Sequence, residues 1–484
     1  MIVMKFGGTS VEDEKAIERA AQIVLRRLHE RPVVVVSALA GVTDSLLAMS
    51  QAAAAGRIQE ALKLLRPLRR RHLAVLDVLM MKAPAEPVRD DVQTLLDSVQ
   101  DMLRGVAALG ELTPRTTDHI LCTGELLSSR IVSAAFAQHG IEAVLVDSRE
   151  CIVTDANHTN AVPLFDWTDE SLRQQLQPLL LAGRVPVMGG FLAATIDGIP
   201  TTLGRGGSDF SATIVGAALD AKRIEIWTDV GGMMTTDPRL CPSARRIDVI
   251  GFDEASELAY FGAKVLHPAT LIPAVRKNIP VFVLNSRQPE SKGTCIRARA
   301  PRSRTTFRAI AAKAGMKVVN VKSTRTLGAN GFLRAVFEAF ERHDCAADLV
   351  STSEVSVSIV LNASHSIDGL LHDLAKLGEV DVEDRKAIIC LVGKDISGQA
   401  GIAATVFDTI AAANINVHMI SQGASEINIG FVIEEHDVPE AVRQLHQRFF
   451  ETKPLSRPTR LRAISGGLGM QACTPRINAR AEVV

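Results

Sequence analysis

A glycine-rich loop in the middle of the chain has the composition of a phosphate-binding loop. Gly204, Gly206 and Gly207 lack side chains, so backbone N–H groups there can approach an anion closely. Ser208 and Asp209 follow as a candidate N-cap pair that opens a helix. The N-terminus of that helix offers free N–H groups and the positive end of a dipole. The loop therefore predicts an anion site, with an ordinary turn between strand and helix as the alternative.

Small or polar residues follow four predicted strands at the points where those strands end. They occupy positions 7–10, 37–43, 189–191 and 228–232. In open α/β sheets, ligands bind beyond the carboxyl ends of the strands. Convergence of these four segments on one sheet edge would make a cleft.

The elements that must position this cleft follow the pattern of a wound parallel sheet. Short apolar runs alternate with helical patterns over the first 300 residues, which is typical of an α/β fold with a mostly parallel sheet sandwiched by helices. The predicted strands are 2–6, 33–36, 143–147, 185–191, 224–227 and 279–284, and the segment 287–304 is a predicted linker.

Beyond the linker the chain repeats a shorter pattern. Two successive strand-helix-strand-strand-helix units occupy 310–385 and 386–452, and each is of the ferredoxin-like type. Repeated small domains of this kind more often sense ligands or dimerise than catalyse. The remaining residues, 453–484, are rich in basic side chains and poor in large apolar ones, so we expect a flexible tail.

Composition excludes several classes of protein. At 484 residues the chain is too long for one core. Its 54 basic and 54 acidic residues balance, so no global field favours nucleic acid or an anionic membrane. We find no apolar run long enough to span a bilayer. The seven cysteines are scattered without a C-x-x-C pair, which suits reduced thiols and a cytoplasmic location.

Five short strings together resemble the aspartate kinases (aspartokinases), most closely the monofunctional, lysine-sensitive type. They are KFGGTS at 5–10, TLGRGGSD at 202–209, WTDV at 227–230, TTDPR at 235–239 and FGAKVLHP at 261–268. The similarity runs from residue 1 to about residue 452. It implies an amino-acid-kinase catalytic domain at 1–300, a regulatory ACT domain at 310–385, and a second ACT domain at 386–452 for regulation and dimerisation.

The resemblance implies ATP-dependent phosphorylation of the β-carboxylate of L-aspartate to 4-phospho-L-aspartate, the first step toward lysine, threonine and methionine. Such a site must offset charge repulsion, because two unit charges about 4 Å apart interact by roughly 4 kcal/mol at an effective dielectric of 20. Cations and N–H donors must supply this offset. We expect Mg²⁺ to arrive with ATP, held mainly by phosphate oxygens and water rather than by protein ligands.

The resemblance also assigns residues to roles. Lys5 is the catalytic cation that reaches the transferring phosphoryl group, and Asp209 orients Lys5 or the substrate ammonium. A general base is unnecessary, because an aspartate side chain with a pKa of about 3.9 is already ionised. The implied substrate residues are Ser37, Thr43, Glu125, Phe191, Arg205 and Ser208, with Arg205 on the α-carboxylate and Glu125 on the α-ammonium. The implied ATP residues are Gly7, Gly8, Gly206, Gly207, Thr228, Asp229, Met234, Arg239 and Lys264.

The regulatory half is similar to relatives that bind lysine between paired first ACT domains. Asp348 and Glu354 would suit a cationic ligand, and a solvated acidic pair at a strand end is the alternative. The chain departs from the lysine-sensitive pattern at Thr326 and Ala329, which leaves the inhibitor's identity open. We expect a homodimer or tetramer through the ACT domains. The implied effector residues are Gly331, Phe332, Leu333, Asp348, Ser353, Glu354 and Val355.

Two other functions remain open on the sequence alone. The same fold could phosphorylate another acceptor, such as glutamate or acetylglutamate, although Glu125 with Arg205 favours an amino-acid zwitterion. A non-catalytic amino-acid sensor is the second alternative, but its expected mark, loss of Lys5 or Asp209, is absent. A dehydrogenase is disfavoured because the first domain has no helix-backed dinucleotide fingerprint.

Overall fold

The computed structural model describes residues 1–81, 86–262, 266–301, 305–323, 331–353, 355–362, 367–394, 396, 399–422 and 427–451. Several predicted features lie outside these residues. They are Lys264, Thr326, Ala329, Glu354 and the 453–484 tail.

Strands and helices alternate through the N-terminal part of the chain. In order they are β1 (Ile2–Phe6), α1 (Glu14–Leu25), β2 (Pro32–Val36), α2 (Val42–Ala54), α3 (Ile58–Leu79), α4 (Glu86–Leu109), α5 (Pro114–Gln138), β3 (Ala143–Val146), β4 (Val153–Thr154), α6 (Phe165–Leu181), β5 (Val185–Gly189), β6 (Leu192–Thr195), β7 (Pro200–Thr202), α7 (Gly207–Ala218), β8 (Ile224–Thr228), β9 (Val249–Gly251), α8 (Phe252–Tyr260), α9 (Ile272–Arg276), β10 (Val281–Asn285) and β11 (Thr294–Arg297).

Eight of these described strands form one sheet in the order β3-β5-β2-β1-β8-β10-β11-β9. The strands from β3 to β10 run parallel, and β11 pairs antiparallel with β10. A second, smaller sheet contains β4, β6 and β7. The predicted α/β fold with a mostly parallel sheet is confirmed.

Both faces of the large sheet are covered by helices. Along β1, Ile2, Met4 and Phe6 pack into a core shared with α1 to α5, while Val3 faces a core shared with α6 to α9. A strand buried on both faces reads as a continuous apolar run, which explains the composition of β1 and β2. Helix α5 is long and apolar enough to cross a membrane by length and composition, but it is mostly buried in this core.

The C-terminal part contains short elements and two long strands. In order they are β12 (Ala309–Ser323), α10 (Phe332–Arg342), β13 (Leu349–Thr352), β14 (Ser356–Asn362), α11 (Asp368–Leu374), β15 (Gly378–Val392), α12 (Ile402–Ala412), β16 (Met419–Ser421), β17 (Asn428–Glu434) and α13 (Val438–His446), followed by a π-helical turn at Gln447–Glu451.

The two repeated units share one antiparallel sheet, in the order β13-β14-β12-β15-β17-β16. The second half of β12, 316–323, pairs with the first half of β15, 378–386. The first half of β12, 309–313, pairs instead with 388–392 in the second half of β15. A ferredoxin-like unit needs four strands, whereas the sequence repeat has three. The first unit has its fourth strand at its own end, in the first half of β15, whereas the second unit takes 309–313 of β12 as its fourth strand, which the repeat pattern did not reveal.

Phe307, just before β12, fixes 309–313 in the second unit. Its side chain is fully buried among residues of the second unit, including Ile389 and Leu391 of β15. Its ring contacts that of Phe449 edge to face, with centroids 4.8 Å apart. The residues before the first unit are thus part of the core of the second.

We predict that Phe307→Ala destabilises the second unit by about 3–5 kcal/mol, because a fully buried aromatic side chain leaves a cavity when it is removed. Hydrogen exchange should show lost protection in 388–392 and α13, with β1 and β2 unchanged. Phe337→Ala on α10 is the matched control, because that ring is 41% exposed and should cost less than about 1 kcal/mol. Equal losses in the two variants would contradict the assignment.

Candidate active site

Three parallel strands hold their following loops side by side at one edge of the large sheet. The ladder continues past the strand ends through backbone hydrogen bonds from Gly7 N to the Trp227 carbonyl (2.9 Å) and from Ser37 N to the Phe6 carbonyl (3.0 Å). A third bond joins Gly190 N to the Val36 carbonyl (2.8 Å). The loops after β1, β2 and β5 therefore meet as the strand-end pattern predicted.

Lys5 lies in β1 and forms an ion pair with Asp209 in the first turn of α7. The distance from Lys5 Nζ to Asp209 Oδ1 is 2.6 Å, and the two side chains are only 10% and 13% exposed. Removing both charges from water is costly, and their close approach offsets that cost. The pair holds an ammonium group at the sheet edge, directly against the glycine-rich loop.

Helix α7 begins earlier than the sequence suggested. The predicted N-cap pair, Ser208 and Asp209, lies inside the first turn, and the N-cap is Gly206. Gly206 has a φ of 75°, a left-handed conformation that favours glycine over residues with a side chain. The N–H of Gly207 bonds to the Gly204 carbonyl (3.0 Å), but Gly206 has no side chain to cap the next N–H groups, those of Ser208 and Asp209, which can therefore bind an anion.

Close backbone contacts bring the loop after β5 against the start of α7. A Cβ atom on Gly190 would lie 2.7 Å from Ser208 Cα, and one on Gly207 would lie 2.6 Å from Phe191 Cδ2. Phe191 itself has a φ of 66°, and its backbone N–H bonds to Ser211 Oγ (2.9 Å). A large side chain in this conformation costs of order 1–3 kcal/mol, and such strain clusters at functional sites.

These elements enclose a cavity of about 550 Å³, a volume typical of small-molecule sites. All eight residues predicted for catalysis and for aspartate line it, together with three of the glycines predicted for the ATP phosphates. They are Lys5, Gly8, Ser37, Thr43, Glu125, Phe191, Arg205, Gly206, Gly207, Ser208 and Asp209.

Glu125 is the buried acid of this cavity. It lies on α5, is 3% exposed, and its Oε1 accepts a hydrogen bond from Ala38 N at 3.1 Å. Among the described residues its Oε2 has no hydrogen-bond partner. Burial raises the pKa of the Glu125 carboxyl to about 8, against the opposing effects of the Ala38 hydrogen bond and of the Lys5 ammonium. A buried carboxyl with an unused oxygen is suited to receive a cationic group.

Of the described residues predicted for the nucleotide, Gly8, Gly206 and Gly207 line this cavity, whereas Gly7, Thr228, Asp229, Met234 and Arg239 do not. Thr228 and Asp229 follow β8, which pairs directly with β1. Met234 pairs with Arg246 in an isolated bridge. Arg239 is exposed and forms an ion pair with Asp237 at 2.6 Å. Gly7 does not line the cavity either, although a Cβ there would lie 3.5 Å from Lys5 Nζ.

Four polar residues around the cavity were missed by the sequence reasoning. Asp44, Thr159 and Thr202 line it, and Asp118 binds two of its wall segments from behind. Single residues such as Asp44, Asp118 and Thr159 have no distinctive spacing in the sequence, and Thr202 belongs to the TLGRGGSD string but had no role assigned to it.

The predicted effector residues that the structure describes lie in the first of the two C-terminal units. Gly331 is the N-cap of α10, and Phe332 and Leu333 are in its first turn. Ser353 and Val355 are exposed next to β13 and β14. Asp348 is paired within the chain, with its Oδ1 2.5 Å from Lys313 Nζ.

Comparison with known proteins agrees with this geometry. The sequence model of the amino acid kinase family matches residues 1–285, and that of an ACT domain matches residues 389–449. The lysine-sensitive aspartokinase 3 of Escherichia coli (strain K12) is 38% identical over 461 residues, which cover 93% of this chain and 99% of that protein.

Two solved structures of E. coli aspartokinase III have the same fold. The complex with aspartate and ADP (R-state) matches with a TM-score of 0.82 at 37% identity, and the complex with lysine and aspartate (T-state) with a TM-score of 0.78 at 38% identity. Each match covers 93% of this chain and 99% of the other. The chain therefore belongs to the aspartokinases, within the amino acid kinase family, as its sequence motifs predicted.

Proposed function

We propose that the protein is an aspartate kinase that transfers the γ-phosphoryl group of ATP to L-aspartate, giving ADP and 4-phospho-L-aspartate. One observation carries the proposal. One cavity contains the buried Lys5 ammonium, the start of α7, which no side chain caps, and the carboxyl of Glu125, whose Oε2 has no hydrogen-bond partner among the described residues. Lys5 and the start of α7 can bind the phosphate anion, and Glu125 can bind the ammonium of an amino acid. Together they suit phosphoryl transfer to an amino acid. The reaction is the first step toward lysine, threonine and methionine.

The acceptor amino acid is held by its α-substituents. The unpaired Oε2 of Glu125 binds the α-ammonium, and the exposed guanidinium of Arg205 binds the α-carboxylate in bidentate fashion. Ser37, Thr43 and Ser208 supply further polar contacts from the cavity wall, next to the ring of Phe191. With both α-groups held, the side-chain carboxylate extends toward Lys5.

Transfer needs charge compensation more than proton chemistry. A β-carboxylate oxygen forms a bond to the γ-phosphorus while the bond from phosphorus to the β–γ bridging oxygen breaks and ADP leaves. The carboxylate is ionised at neutral pH, so no general base takes part. Lys5 offsets the repulsion between the two anions, and Asp209 fixes its direction.

The ATP phosphates lie along the backbone of Gly7, Gly8, Gly206 and Gly207 at the start of α7. We assign the rest of the nucleotide to Thr228, Asp229, Met234, Arg239 and Lys264, because β8 adjoins β1 at the same sheet edge. Bound Mg²⁺ would neutralise phosphate charge. The carboxylate of Asp209 is already paired with Lys5. We therefore expect phosphate oxygens and water, rather than Asp209, to be the ligands of Mg²⁺.

Regulation by L-lysine is proposed for the C-terminal sheet, since the lysine complex of the E. coli relative has the same fold. The site comprises Gly331, Phe332, Leu333, Asp348, Ser353, Glu354 and Val355, between first ACT units of two copies in a homodimer or tetramer. Asp348 is paired with Lys313, so an incoming ammonium must compete for that carboxylate. The cysteines that the structure describes are free thiols, which supports a cytoplasmic location.

The choice of acceptor provides a direct test. An acyl phosphate is trapped by hydroxylamine as a hydroxamate, so the purified enzyme can be assayed with ATP and aspartate, glutamate or N-acetylglutamate. We expect kcat/KM for aspartate to exceed that for glutamate by at least about tenfold, the usual penalty for one extra methylene in a fitted site. A preference for glutamate or N-acetylglutamate would overturn the proposed acceptor.

We predict that Lys5→Ala lowers kcat by about 10²–10³-fold, as removal of one preorganised charge-stabilising donor does. Aspartate binding, measured by calorimetry, should remain. The matched control is Lys15→Ala, an exposed lysine on α1 that should behave as wild type. Near-normal turnover of Lys5→Ala would remove Lys5 from the mechanism.

We predict that the affinity for aspartate rises with pH. The free Glu125 carboxyl is mostly neutral below its pKa of about 8, whereas the substrate ammonium pairs with the ionised form. KM for aspartate should therefore fall by up to about tenfold per unit between pH 6 and pH 8, and then level off. In Glu125→Gln, KM should be higher and flat with pH.

A rise in pH that favours aspartate binding through Glu125 lowers the stability of the folded protein through the same carboxyl. Its folded-state pKa is raised above the unfolded value of 4.5, so the ligand-free protein loses stability as pH rises from about 4.5 to about 8. Glu125→Gln should reduce this loss in denaturant unfolding. A wild-type KM that does not change between pH 6 and pH 8 would contradict the assigned role of Glu125.

A further inference from the structure

Asp118 is a buried carboxylate that binds two wall segments of the cavity. It lies on α5 and is 0% exposed. It accepts hydrogen bonds from Thr202 Oγ1 (2.5 Å), from His158 Nδ1 (2.7 Å) and from Thr159 N, which reaches both oxygens (3.1 and 3.0 Å). An ionised carboxylate only accepts hydrogen bonds, so Nδ1 is the protonated nitrogen of His158.

Stability alone gives little reason for an acid at this position. Burying a carboxylate is costly, and well-packed apolar residues often replace such groups without loss of stability. No Lys or Arg in the described residues forms an ion pair with Asp118; its charged or chargeable partner there is His158. The carboxylate instead holds the segments that it joins in fixed positions, because a buried network in which every polar group is hydrogen-bonded is rigid.

The first segment that Asp118 fixes is 158–161. Thr159 has a φ of 70°, a left-handed conformation that is strained for a β-branched residue. Its backbone N–H is held by both carboxylate oxygens, and the residue lines the cavity. Ala161 N bonds to the Thr202 carbonyl at 2.9 Å, which ties this segment to β7.

The second segment is the turn that carries Arg205. Gly204 packs so closely against Asn160 that a Cβ on it would lie 2.6 Å from Asn160 Oδ1. Gly204 and Gly206 both have positive φ, so the turn between them has little stiffness of its own. Arg205 is exposed, and its side chain makes no hydrogen bond or ion pair with any part of the chain that the structure describes. Its placement therefore depends on the segments against which the turn packs.

We propose that Asp118 is a positioning residue for the acceptor amino acid. By fixing 158–161 and β7, it places the Arg205 turn and Thr159 for the α-carboxylate end of the substrate, without touching the substrate itself. Its effect falls on affinity for aspartate and not on ATP binding or on the transfer step. This inference rests on the proposed aspartate site.

Asp118→Asn in the full chain is the principal test. The amide keeps the shape and one carbonyl acceptor, but its NH₂ group cannot accept from Thr159, Thr202 or His158. We expect KM for aspartate to rise by about tenfold or more, with kcat and KM for ATP within about twofold of wild type. Calorimetry with aspartate should show the same loss of affinity, independently of turnover.

A matched pair at Thr202 separates positioning from general damage. Thr202→Ser keeps the hydroxyl donor to Asp118, so it should raise the KM for aspartate less than Thr202→Val does. Thr202→Val keeps the shape, removes the donor, and should raise that KM by at least about threefold. This pair decides the question even if Asp118→Asn fails to fold.

Two results would overturn the proposal. The first is an unchanged KM for aspartate in both Asp118→Asn and Thr202→Val. The second is a fall in kcat and in melting temperature together with a rise in the KM values for both aspartate and ATP, because a residue with a merely structural role would give that result. If wild-type protein neither forms a hydroxamate from aspartate nor binds aspartate, the proposed function fails and this inference fails with it. A wild type that does both, with unchanged variants, removes only the role of Asp118.

Discussion

The site depends on one desolvated ion pair, between Lys5 in the first strand and Asp209 in a helix far along the chain. β1 lies between β2 and β8 in the middle of the sheet, so its backbone is fixed on both sides. Helix α7 packs on β1 and brings Asp209 within contact. The approach is possible because Gly190 and Gly207 leave no side chain between α7 and the neighbouring loop. The anion site therefore combines the Lys5–Asp209 ion pair with glycine backbone that carries no side chains.

The two halves of the molecule share a core, which gives regulation a physical route. Leu258 of α8 packs in the same cluster as Val318 and Ile388 of the C-terminal sheet. Thr235, next to Met234, bonds through its hydroxyl to His446 Nε2 (2.8 Å) and through its carbonyl to Ile310 N (2.7 Å). The segment proposed for the nucleotide is therefore anchored in the second ACT unit. A shift of that sheet would reach the nucleotide segment directly, which is the coupling that allostery requires.

Sequence patterns predicted the features that depend on local rules. Apolar runs that end in small residues located the carboxyl edge of the sheet, and family motifs located Lys5 and the glycine-rich loop. The start of α7 was misplaced, because the left-handed φ of Gly206 is visible only in the folded chain. The pairing of the first half of β12 with the second unit was missed for a similar reason, since a 15-residue strand carries no mark of where it changes partner. Pairings between distant segments are what local periodicity cannot supply.

Two acids on α5 show why burial alone does not identify a binding group. Asp118 and Glu125 lie on the same helix and are 0% and 3% exposed. Both oxygens of Asp118 accept hydrogen bonds from the protein, so its charge is already compensated. Glu125 has one backbone donor and an unpaired oxygen, and burial raises its pKa to about 8. The carboxylate oxygen without a hydrogen-bond donor distinguishes Glu125, which can receive a ligand, from Asp118, which positions the wall of the cavity. Because these partners lie in segments distant in sequence, local patterns do not distinguish the two acids, and only the family resemblance singled out Glu125.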